Sequence, residues 1–254
     1  MRNSYNNSKN LSVALCVRNE EEKLKKCLEA LTFADEIVIV LDGCTDKSKE
    51  IARRFTKKII EGRWPIEGDR RNLAIEHCQY TWILEVDADE IVSESLAMEI
   101  KKIIEKSKDD WHLIQVNNFI GDRLIKYGWG CYIGKGQYAG LFRKESKIWG
   151  SQRVHPKIEL NANGGAVLKE PLDHFVDSDI KDMFNRLNAY TDARALDIKD
   201  NNDGGNFLNN IKRIFSRFFK CYILRKGYKE GRYGFFIALC AGLYPICSYF
   251  KAKK

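Results

Sequence analysis

Two aspartates at the end of an apolar run are the residues of this chain best suited to chemistry. Residues 82–86 favour a β-strand, and Asp87 and Asp89 follow directly. Alternate residues of an extended chain lie roughly 6.6 Å apart on the same side, so both carboxylates face one way. Ligands of open α/β sheets bind at the carboxyl ends of strands. Paired carboxylates there suit Mg²⁺ or Mn²⁺ carrying a diphosphate.

A solvated acidic turn is the competing interpretation, because short motifs often occur by chance. Neighbouring strand ends are polar as well, with Arg18, Asn19, Glu20 and Glu21 after the first predicted strand and Asp42, Gly43 and Asp46 after the second. Short, right-handed connections bring such loops to one edge of the sheet. A nucleotide lying across that edge would meet Asp42 and Asp87, whereas helix capping is the favoured role of Asp46.

Strand-like and helix-like segments alternate through the first 106 residues. Strands are predicted over 11–17, 36–41, 58–61 and 82–86, and helices over 21–31, 67–78 and 93–106. A further helix is predicted between the second and third strands, capped by Thr45 or Asp46 and running to about Phe55. This alternation predicts βαβ units and a mostly parallel sheet, which defines an α/β fold.

Two arginines, Arg70 and Arg71, stand at the start of the third predicted helix. A helix N-terminus already attracts phosphate, and a guanidinium adds a bidentate donor. Basic residues in a first turn oppose the helix dipole. Their position therefore indicates an anionic ligand rather than a contribution to helix stability.

These segments together resemble the family-2 inverting glycosyltransferases, which have the GT-A (Rossmann-like) nucleotide-sugar-binding fold. The segments that carry the resemblance are 11–21, 36–48, 71–74 and 82–90. The closer resemblance is to the β-1,4-glucosyltransferase-like branch that adds sugars to the lipopolysaccharide inner core. It implies a catalytic domain over 1–200 and Mg²⁺ or Mn²⁺ as cofactor. The expected reaction moves a hexose from a UDP-sugar to a lipopolysaccharide-core or other lipid-linked glycan.

The resemblance also implies roles for individual residues. The implied nucleotide-sugar-binding positions are Val17, Asn19, Glu20, Asp42, Arg71 and Asp87, and the implied metal ligands are Asp89 and His174. Within this set, Asp42 would contact the uracil and Glu20 the ribose side. Cys44 departs from the Gly or Ser usual at its position, which we expect to alter packing rather than chemistry.

An inverting transfer requires a general base that deprotonates the acceptor hydroxyl as it attacks the anomeric carbon. Many family-2 enzymes supply this base from a Glu-Asp dipeptide, which this sequence lacks. The candidates are His155 and Asp173 and, less well, Asp177. His155 resembles a motif of the core-transferase branch, although Pro156 follows it where Glu is common. A lone histidine is more often structural than catalytic.

The middle of the chain gives a weaker pattern. Strands are predicted over 111–119, 141–143, 147–149 and 154–160, and a long helix over 179–197. The turn at 163–165 predicts a hairpin with 166–169. Four aromatic residues in the segment 121–140 suit either a sugar platform or an ordinary packed loop, namely Tyr127, Trp129, Tyr132 and Tyr138.

Excess positive charge is confined to the C-terminal segment. Residues 206–254 carry eleven basic residues and one acidic residue, a net charge of +10, whereas 1–205 carry −2. In 206–224, aromatic and aliphatic side chains share one helical face, and Arg213, Arg217 and Lys220 lie opposite. This is the pattern of an interfacial amphipathic helix.

Residues 234–250 are uncharged but include Pro245, and 17 residues are at the lower limit for crossing a bilayer. We therefore expect 206–254 to be a basic helical tail that associates with an anionic membrane surface. One alternative is two core helices that pack on the catalytic domain. The other is a nucleic-acid-binding patch, which the continuous apolar stripe disfavours. The polar first ten residues and eight unpatterned cysteines predict a reduced cytoplasmic protein, peripheral on the inner face of the cell membrane.

Two other function classes compete with glycosyl transfer. A nucleotidyltransferase should have a Gly-rich loop after its first strand, but residues 18–22 contain no glycine. A non-catalytic basic adaptor for membranes or nucleic acid explains the tail, but it leaves the polar strand ends without a role.

Overall fold

The computed structural model describes residues 10–129, 134–153 and 156–253. The strands are β1 (Leu11–Val17), β2 (Glu36–Asp42), β3 (Ile59–Gly62), β4 (Trp82–Asp87), β5 (Glu90–Ile91), β6 (Trp111–Ile120), β7 (Arg123–Ile125), β8 (Gln137–Arg143), β9 (Lys147–Trp149), β10 (Ile158–Leu160), β11 (Gly164–Val167) and β12 (Leu172–Asp177). The helices are α1 (Glu21–Ala30), α2 (Ser48–Ala52), α3 (Glu67–His77), α4 (Glu94–Lys106), α5 (Ile180–Asn201), α6 (Phe207–Phe219) and α7 (Arg232–Ala252).

The described residues form two compact units. Unit 1 contains residues 10–116, 137–151 and 156–174, and unit 2 contains 117–129, 134–136, 152–153 and 175–253. Strands β6 and β12 therefore each begin in unit 1 and end in unit 2.

A twisted sheet in the order β3-β2-β1-β4-β8-β6 is the centre of unit 1. Strands β1 to β4 pair in parallel, and β8 runs antiparallel to both β4 and β6. The predicted α/β fold with a mostly parallel sheet is confirmed. Because Val17 lies opposite Leu41 and Cys16 opposite Asp87, the ends of β1, β2 and β4 are level, and the loops after them leave at one edge.

The core of unit 1 lies between this sheet and its helices. All seven residues of β2 are buried, as expected for a central parallel strand. Leu24 and Leu28 of α1 and Leu96 of α4 are fully buried, each contributing roughly 1.5–3 kcal/mol. Gly68 is required in α3, because a Cβ there would lie 1.9 Å from the carbonyl oxygen of Gly150.

The second helix, α2, begins at Ser48 and ends at Ala52, short of the predicted end near Phe55, and Asp46 lies outside it as expected for a capping residue. One carboxylate oxygen of Asp46 accepts the N–H of Ser48 at 3.0 Å, and the other accepts the N–H of Glu21 at 2.9 Å. Burial opposes ionisation of Asp46, but these hydrogen bonds outweigh it and lower the pKa of Asp46. Asp46 therefore caps the first turn of α1 as well as the start of α2.

The predicted hairpin at 163–165 is wrong. Strand β10 pairs with β9, whereas β11 pairs in parallel with β6. The carbonyl of Asn163 accepts the N–H of Asp110 at 2.8 Å, and Oδ2 of Asp110 accepts the N–H of Asn163 at 3.1 Å. This exchange places the start of β11 beside the start of β6, so the Gly-Gly pair continues a strand instead of reversing the chain.

Unit 2 is mainly helical. Helices α5 and α6 both pack on α7, and a π turn (Lys220–Leu224) and a 3₁₀ turn (Gly227–Glu230) connect α6 to α7. Gly234 lies so close to Gly227 that a Cβ would be 1.8 Å from its carbonyl oxygen. Helix α7 is long and apolar enough to cross a membrane, but most of that stretch is buried within unit 2. The separate membrane-associating tail over 206–254 stays a prediction.

Candidate active site

The loop after β1 is fastened to the loop after β2. Asn19 has a left-handed backbone with φ of 56°, which asparagine tolerates better than most residues. Its Oδ1 accepts the N–H of Thr45 at 2.8 Å. The hydroxyl oxygen of Ser48 accepts the N–H of Glu20 at 2.9 Å. The structure thus brings the predicted donor-binding residues of both loops to one edge of the sheet.

Val17 contributes to this edge through its main chain. Its side chain is buried at the end of β1, and its carbonyl accepts the thiol of Cys44 at 3.4 Å. Burial raises the pKa of Cys44, so the thiol stays protonated and able to donate. The unusual cysteine therefore has a packing role in this turn.

Asp42 is a buried carboxylate at the end of β2 with several partners. Its Oδ1 accepts the N–H of Trp64 at 3.0 Å, and its Oδ2 pairs with the guanidinium of Arg70. A second guanidinium, that of Arg18, lies 4.0 Å from the same oxygen. Arg70 therefore orients Asp42 in the ligand-free protein.

Arg71 bridges three carboxylates from the start of α3. Its guanidinium lies 2.8 Å from Glu67, 2.8 Å from Glu85 and 2.9 Å from Asp87, and its Cζ is 4.8 Å from the ring centroid of Trp149. Burial opposes the charged form, but the three carboxylates outweigh it and raise the pKa of Arg71 well above its usual value. The contact with Asp87 joins two of the predicted nucleotide-binding residues.

A buried ion pair behind Arg71 was missed by sequence reasoning. Lys147 Nζ lies 2.6 Å from Glu85 Oε2, and the side chains are 0% and 5% exposed. The indole N–H of Trp149 donates to the same oxygen at 3.1 Å. Burial opposes ionisation of Glu85, but Lys147 and Arg71 outweigh it and lower its pKa. The available signal was an acidic residue inside an apolar strand, since a buried charge must be paired.

Strand β12 brings His174 to Asp89. Its residues Asp173 and His174 pair with β5, which follows the acidic pair directly. His174 Nε2 lies 3.3 Å from Asp89 Oδ2. Burial opposes ionisation of Asp89, but the hydrogen bond and charge of His174 outweigh it and lower its pKa. An ionised carboxylate and an imidazole nitrogen therefore converge beside the end of β4.

A carboxylate and an imidazole, such as those of Asp89 and His174, are common ligands of divalent cations in proteins. Across 10–129, 134–153 and 156–253, no three His, Cys, Asp or Glu side chains gather closely enough to bind a metal by themselves. Two protein ligands fit a cation whose other ligands include substrate phosphates. They do not fit a structural zinc site, which takes four protein ligands.

Glu20 lies in acidic surroundings. Burial raises its pKa from 4.5 to about 7, and the charges of Asp89, Asp87 and Asp46 add to this effect against Lys23. Near neutral pH the side chain of Glu20 is therefore partly protonated, and it can donate as well as accept a hydrogen bond.

The three candidate bases occupy different places. His155 lies outside the described residues. Asp173 precedes His174 on β12, and adjacent strand residues face opposite sides, so the two side chains diverge. Asp177 is buried and paired with Arg186, which neutralises its charge. The catalytic assignments of His155 and Asp173 stay predictions.

Two of the three described aromatic residues of 121–140, Trp129 and Tyr138, are in packed environments. The hydroxyl of Tyr138 donates to the carbonyl of Glu85 at 2.7 Å, and Trp129 packs against the core of unit 2. Tyr127 is exposed, but the ammonium of Lys229 lies 5.1 Å from its ring centroid. These contacts favour the packed-loop interpretation over a sugar platform, and Tyr132 lies outside the described residues.

Two known proteins are similar to this chain in sequence over most of its length. The lipopolysaccharide core biosynthesis glycosyltransferase LpsC of Rhizobium meliloti (strain 1021) is 25% identical over 249 residues, which cover 93% of this chain and 89% of LpsC. An uncharacterized glycosyltransferase of Rickettsia bellii (strain RML369-C) is 23% identical over 237 residues, 90% of this chain and 81% of that protein.

A solved structure and a family model give the broader relationship. The crystal structure of S. aureus TarS 1-349 in complex with UDP matches with a TM-score of 0.50 at 11% identity, covering 96% of this chain and 90% of that chain, which shows the fold alone. The model of the family described as Glycosyl transferase family 2 matches residues 12–149, more than half of the chain. The chain therefore belongs to glycosyl transferase family 2 and is a glycosyltransferase with a GT-A fold.

Proposed function

We propose that this glycosyltransferase moves a hexose from a UDP-sugar, with inversion and with a divalent cation, to a lipopolysaccharide-core or other lipid-linked glycan. The observation that carries the proposal is the convergence at the end of β4, where Asp87 meets Arg71 and Asp89 meets His174. Membership of a glycosyltransferase family sets aside the nucleotidyltransferase and adaptor alternatives.

The nucleotide would lie across the loops after β1, β2 and β4. A carboxylate accepts about four hydrogen bonds, so Asp42 can accept the N3–H of uracil and keep its contacts with Trp64 and Arg70. Glu20, partly protonated, suits a ribose hydroxyl, which is both donor and acceptor. The TarS structure of the same fold holds UDP, which agrees with a uridine nucleotide as donor.

The diphosphate would lie beside Arg71 and the acidic pair. Asp89 and His174 would hold Mg²⁺ or Mn²⁺, which supplies positive charge that stabilises the leaving diphosphate. Arg71 keeps Asp87 in place through their 2.9 Å contact, and its guanidinium is a bidentate phosphate donor by type.

Inversion requires attack from the face of the sugar opposite the diphosphate. The acceptor oxygen forms a bond to the anomeric carbon, the bond from that carbon to the diphosphate oxygen breaks, and the hydroxyl proton passes to a general base. His155 and Asp173 are the proposed bases. A pH–rate profile of each variant, His155→Gln and Asp173→Asn, would identify the base by the loss of the acidic limb, since the rate falls at low pH when a general base becomes protonated.

The acceptor assignment draws on LpsC, which is named for lipopolysaccharide core biosynthesis. A lipid-linked acceptor requires the enzyme to work at a membrane surface. Helix α6 suits such a surface, because Leu208, Phe215 and Phe219 are 68%, 72% and 53% exposed on one face. Apolar area of this kind inserts at a bilayer interface, and each nearby basic residue adds about 1 kcal/mol at an anionic surface.

We accordingly propose a cytoplasmic protein that is peripheral on the inner face of the cell membrane, held through residues 206–254 and without a nucleic-acid partner. The seven cysteines within the described residues are free thiols, in keeping with a reducing compartment.

A donor panel tests the proposed reaction. The full chain would be incubated with Mn²⁺ and UDP-glucose, UDP-galactose, UDP-N-acetylglucosamine or a GDP-sugar, and released nucleotide measured with and without a deacylated lipopolysaccharide-core acceptor. We expect acceptor-stimulated release from a UDP-hexose and an inverted anomer by NMR. Release from the GDP-sugar alone, or a retained anomer, would contradict the proposal.

A further inference from the structure

One fully buried lysine lies behind the donor site. The side chain of Lys147 is 0% exposed, and within the described residues it is the only lysine that is buried. Its Nζ donates to Glu85 Oε2 at 2.6 Å and to the carbonyl of Ala139 at 2.8 Å. Well-packed apolar side chains in place of a buried ion pair are often equally stable or more so, which makes such a pair weak evidence of a role in stability. The position of this pair next to Arg71 points to a role in the donor site instead.

Glu85 connects Lys147 to Arg71. Its Oε2 accepts from Lys147 and from the indole N–H of Trp149, whereas its Oε1 lies 2.8 Å from Nη1 of Arg71. The two cations thus share one carboxylate, which carries a single negative charge. Glu85 can therefore offset only one of the two positive charges.

Arg71 is held in one orientation at the end of β4. Its Nε donates to Glu67 at 2.8 Å, its Nη1 lies 2.9 Å from Asp87 Oδ1, and its guanidinium lies over the ring of Trp149. Asn72 fastens Trp149 in turn, because its Nδ2 donates to the carbonyl of Trp149 at 2.9 Å and its Oδ1 accepts the N–H of Trp149 at 3.0 Å. The guanidinium therefore has little freedom to turn, and what it offers an anionic ligand depends on the charges around it.

The charges in contact with Arg71 are negative. Glu67, Glu85 and Asp87 all contact its guanidinium, and Lys147 pairs with one of the three, Glu85. Removing Lys147 would leave the full charge of Glu85 acting on Arg71, so the end of β4 would repel an incoming anion more strongly. Charges interact strongly over short distances in a protein interior, where water screens them less. Lys147 therefore maintains the positive character of Arg71.

We propose that Lys147 is a positioning residue for donor binding, which neutralises Glu85 and thereby keeps Arg71 able to attract the diphosphate. Its own ammonium is buried, so it acts through Glu85 and Arg71 and not by touching the nucleotide. This role rests on the proposed function, because it requires a UDP-sugar whose diphosphate lies beside Arg71. The effect of Lys147 should therefore fall on the phosphates of the nucleotide and leave binding of the base and ribose unaffected.

The test compares UDP with uridine, which has the same base and ribose but no phosphate. Binding to the full chain in the presence of Mg²⁺ is measured by calorimetry for UDP and by NMR titration for uridine. We expect Lys147→Met to weaken UDP binding by about tenfold and uridine binding by less than about twofold, as for the loss of one charge near an anion. Lys101→Met, which breaks the exposed ion pair with Asp35, should change both affinities by less than about twofold. A purely structural role for Lys147 would weaken UDP and uridine binding alike.

Two variants of Glu85 complete the experiment. Glu85→Gln keeps both cations and removes the negative charge between them, so it should tighten UDP binding by about threefold or more and leave uridine binding unchanged. It also tests the proposal if Lys147→Met does not fold. The double variant Glu85→Gln with Lys147→Met should restore UDP affinity to within about threefold of the native value, because Arg71 no longer shares its charge with Glu85.

The outcomes separate this role from the proposed donor. Failure of the native chain to bind UDP would overturn the proposed donor together with the role of Lys147. Native UDP binding with an equal loss of UDP and uridine affinity in Lys147→Met, or with UDP affinity unchanged in both single variants, would overturn the role of Lys147 alone.

Discussion

Replacing Lys147 with methionine tests whether the buried ion pair behind the donor site holds that site together. Methionine keeps an apolar stem among the rings of Phe142 and Trp149, which lie 4.8 Å and 4.7 Å from the lysine nitrogen. It removes the charge 2.6 Å from Glu85 and the hydrogen bond to the carbonyl of Ala139. The perturbation is therefore mainly electrostatic.

The expected loss of stability follows from the remaining contacts of Glu85. Removing one partner of a buried ion pair costs about 3–5 kcal/mol. Glu85 keeps Arg71 at 2.8 Å and the indole N–H of Trp149 at 3.1 Å, so we expect the lower end, about 3 kcal/mol. A native protein is stable by roughly 5–15 kcal/mol, so the variant should still fold.

The loss should depend on pH in a defined direction. In the native chain the pKa of Glu85 is lowered by Lys147 and Arg71 against burial, so its stabilising effect is present above the unfolded pKa and is lost as pH falls. Without Lys147, burial pushes the pKa of Glu85 upward, and its ionisation becomes unfavourable. The stability difference between the two proteins should therefore widen from pH 5 to pH 8.

Denaturant unfolding of three variants measures this effect. Lys101→Met is the matched control, because its ion pair with Asp35 is exposed at 3.3 Å and should contribute less than about 1 kcal/mol. The double variant Glu85→Gln with Lys147→Met should recover part of the loss, since a neutral amide is cheaper to bury than an unpaired charge. A loss in Lys147→Met no larger than in Lys101→Met, or one that is constant with pH, would refute this account of the network.

Three other predictions concern the donor site and α6. Asp42→Ala should weaken UDP binding in calorimetry more than it lowers kcat, because a uracil contact is remote from the reacting carbon; unchanged affinity would leave Asp42 a turn residue. The pKa of Glu20 is raised to about 7, so in metal-free buffer the unfolded chain releases this proton at lower pH than the folded chain does, and the free energy of unfolding should fall from pH 5 to pH 8. Glu20→Gln should remove that fall in denaturant unfolding, and an identical decline in both proteins would contradict the assignment. Phe215→Ser with Leu208→Ser should reduce co-sedimentation with anionic vesicles at high salt, whereas Lys212→Gln should act mainly at low salt; binding of the double variant equal to that of the native chain would exclude this face as the membrane contact.

The parallel part of the fold was predictable from local pattern. Strand β1 has the predicted bounds, and β2 and β4 extend one residue further, to Asp42 and Asp87. Each is a mostly apolar run bounded by polar loops, so burial and β-propensity agree. The hairpin at 163–165 failed because long-range hydrogen bonds between Asn163 and Asp110 decide the pairing, and a local turn signal carries no information about them.

The acidic groups of the candidate site could be expected from strand ends, but their buried partners could not. The local pattern places Glu85 within a strand, but its pairing with Lys147 joins positions 62 residues apart. Helix α6 shows the same limit, since its amphipathic period is visible in sequence. Which face of α6 turns inward depends on tertiary packing, which places Arg217 beside residues of α5 and α7.

The central claim is that Asp89 and His174 hold the cation that carries the donor diphosphate. Calorimetry of UDP binding with Mn²⁺ and with EDTA tests it directly, on the native chain and on Asp89→Asn, which has nearly the same shape but cannot hold the ion in the same way. We predict that Mn²⁺ tightens UDP binding to the native chain by about tenfold or more, and that a folded Asp89→Asn variant binds UDP equally with and without Mn²⁺. Metal-independent binding to the native chain, or a full response to Mn²⁺ in the variant, would contradict the claim.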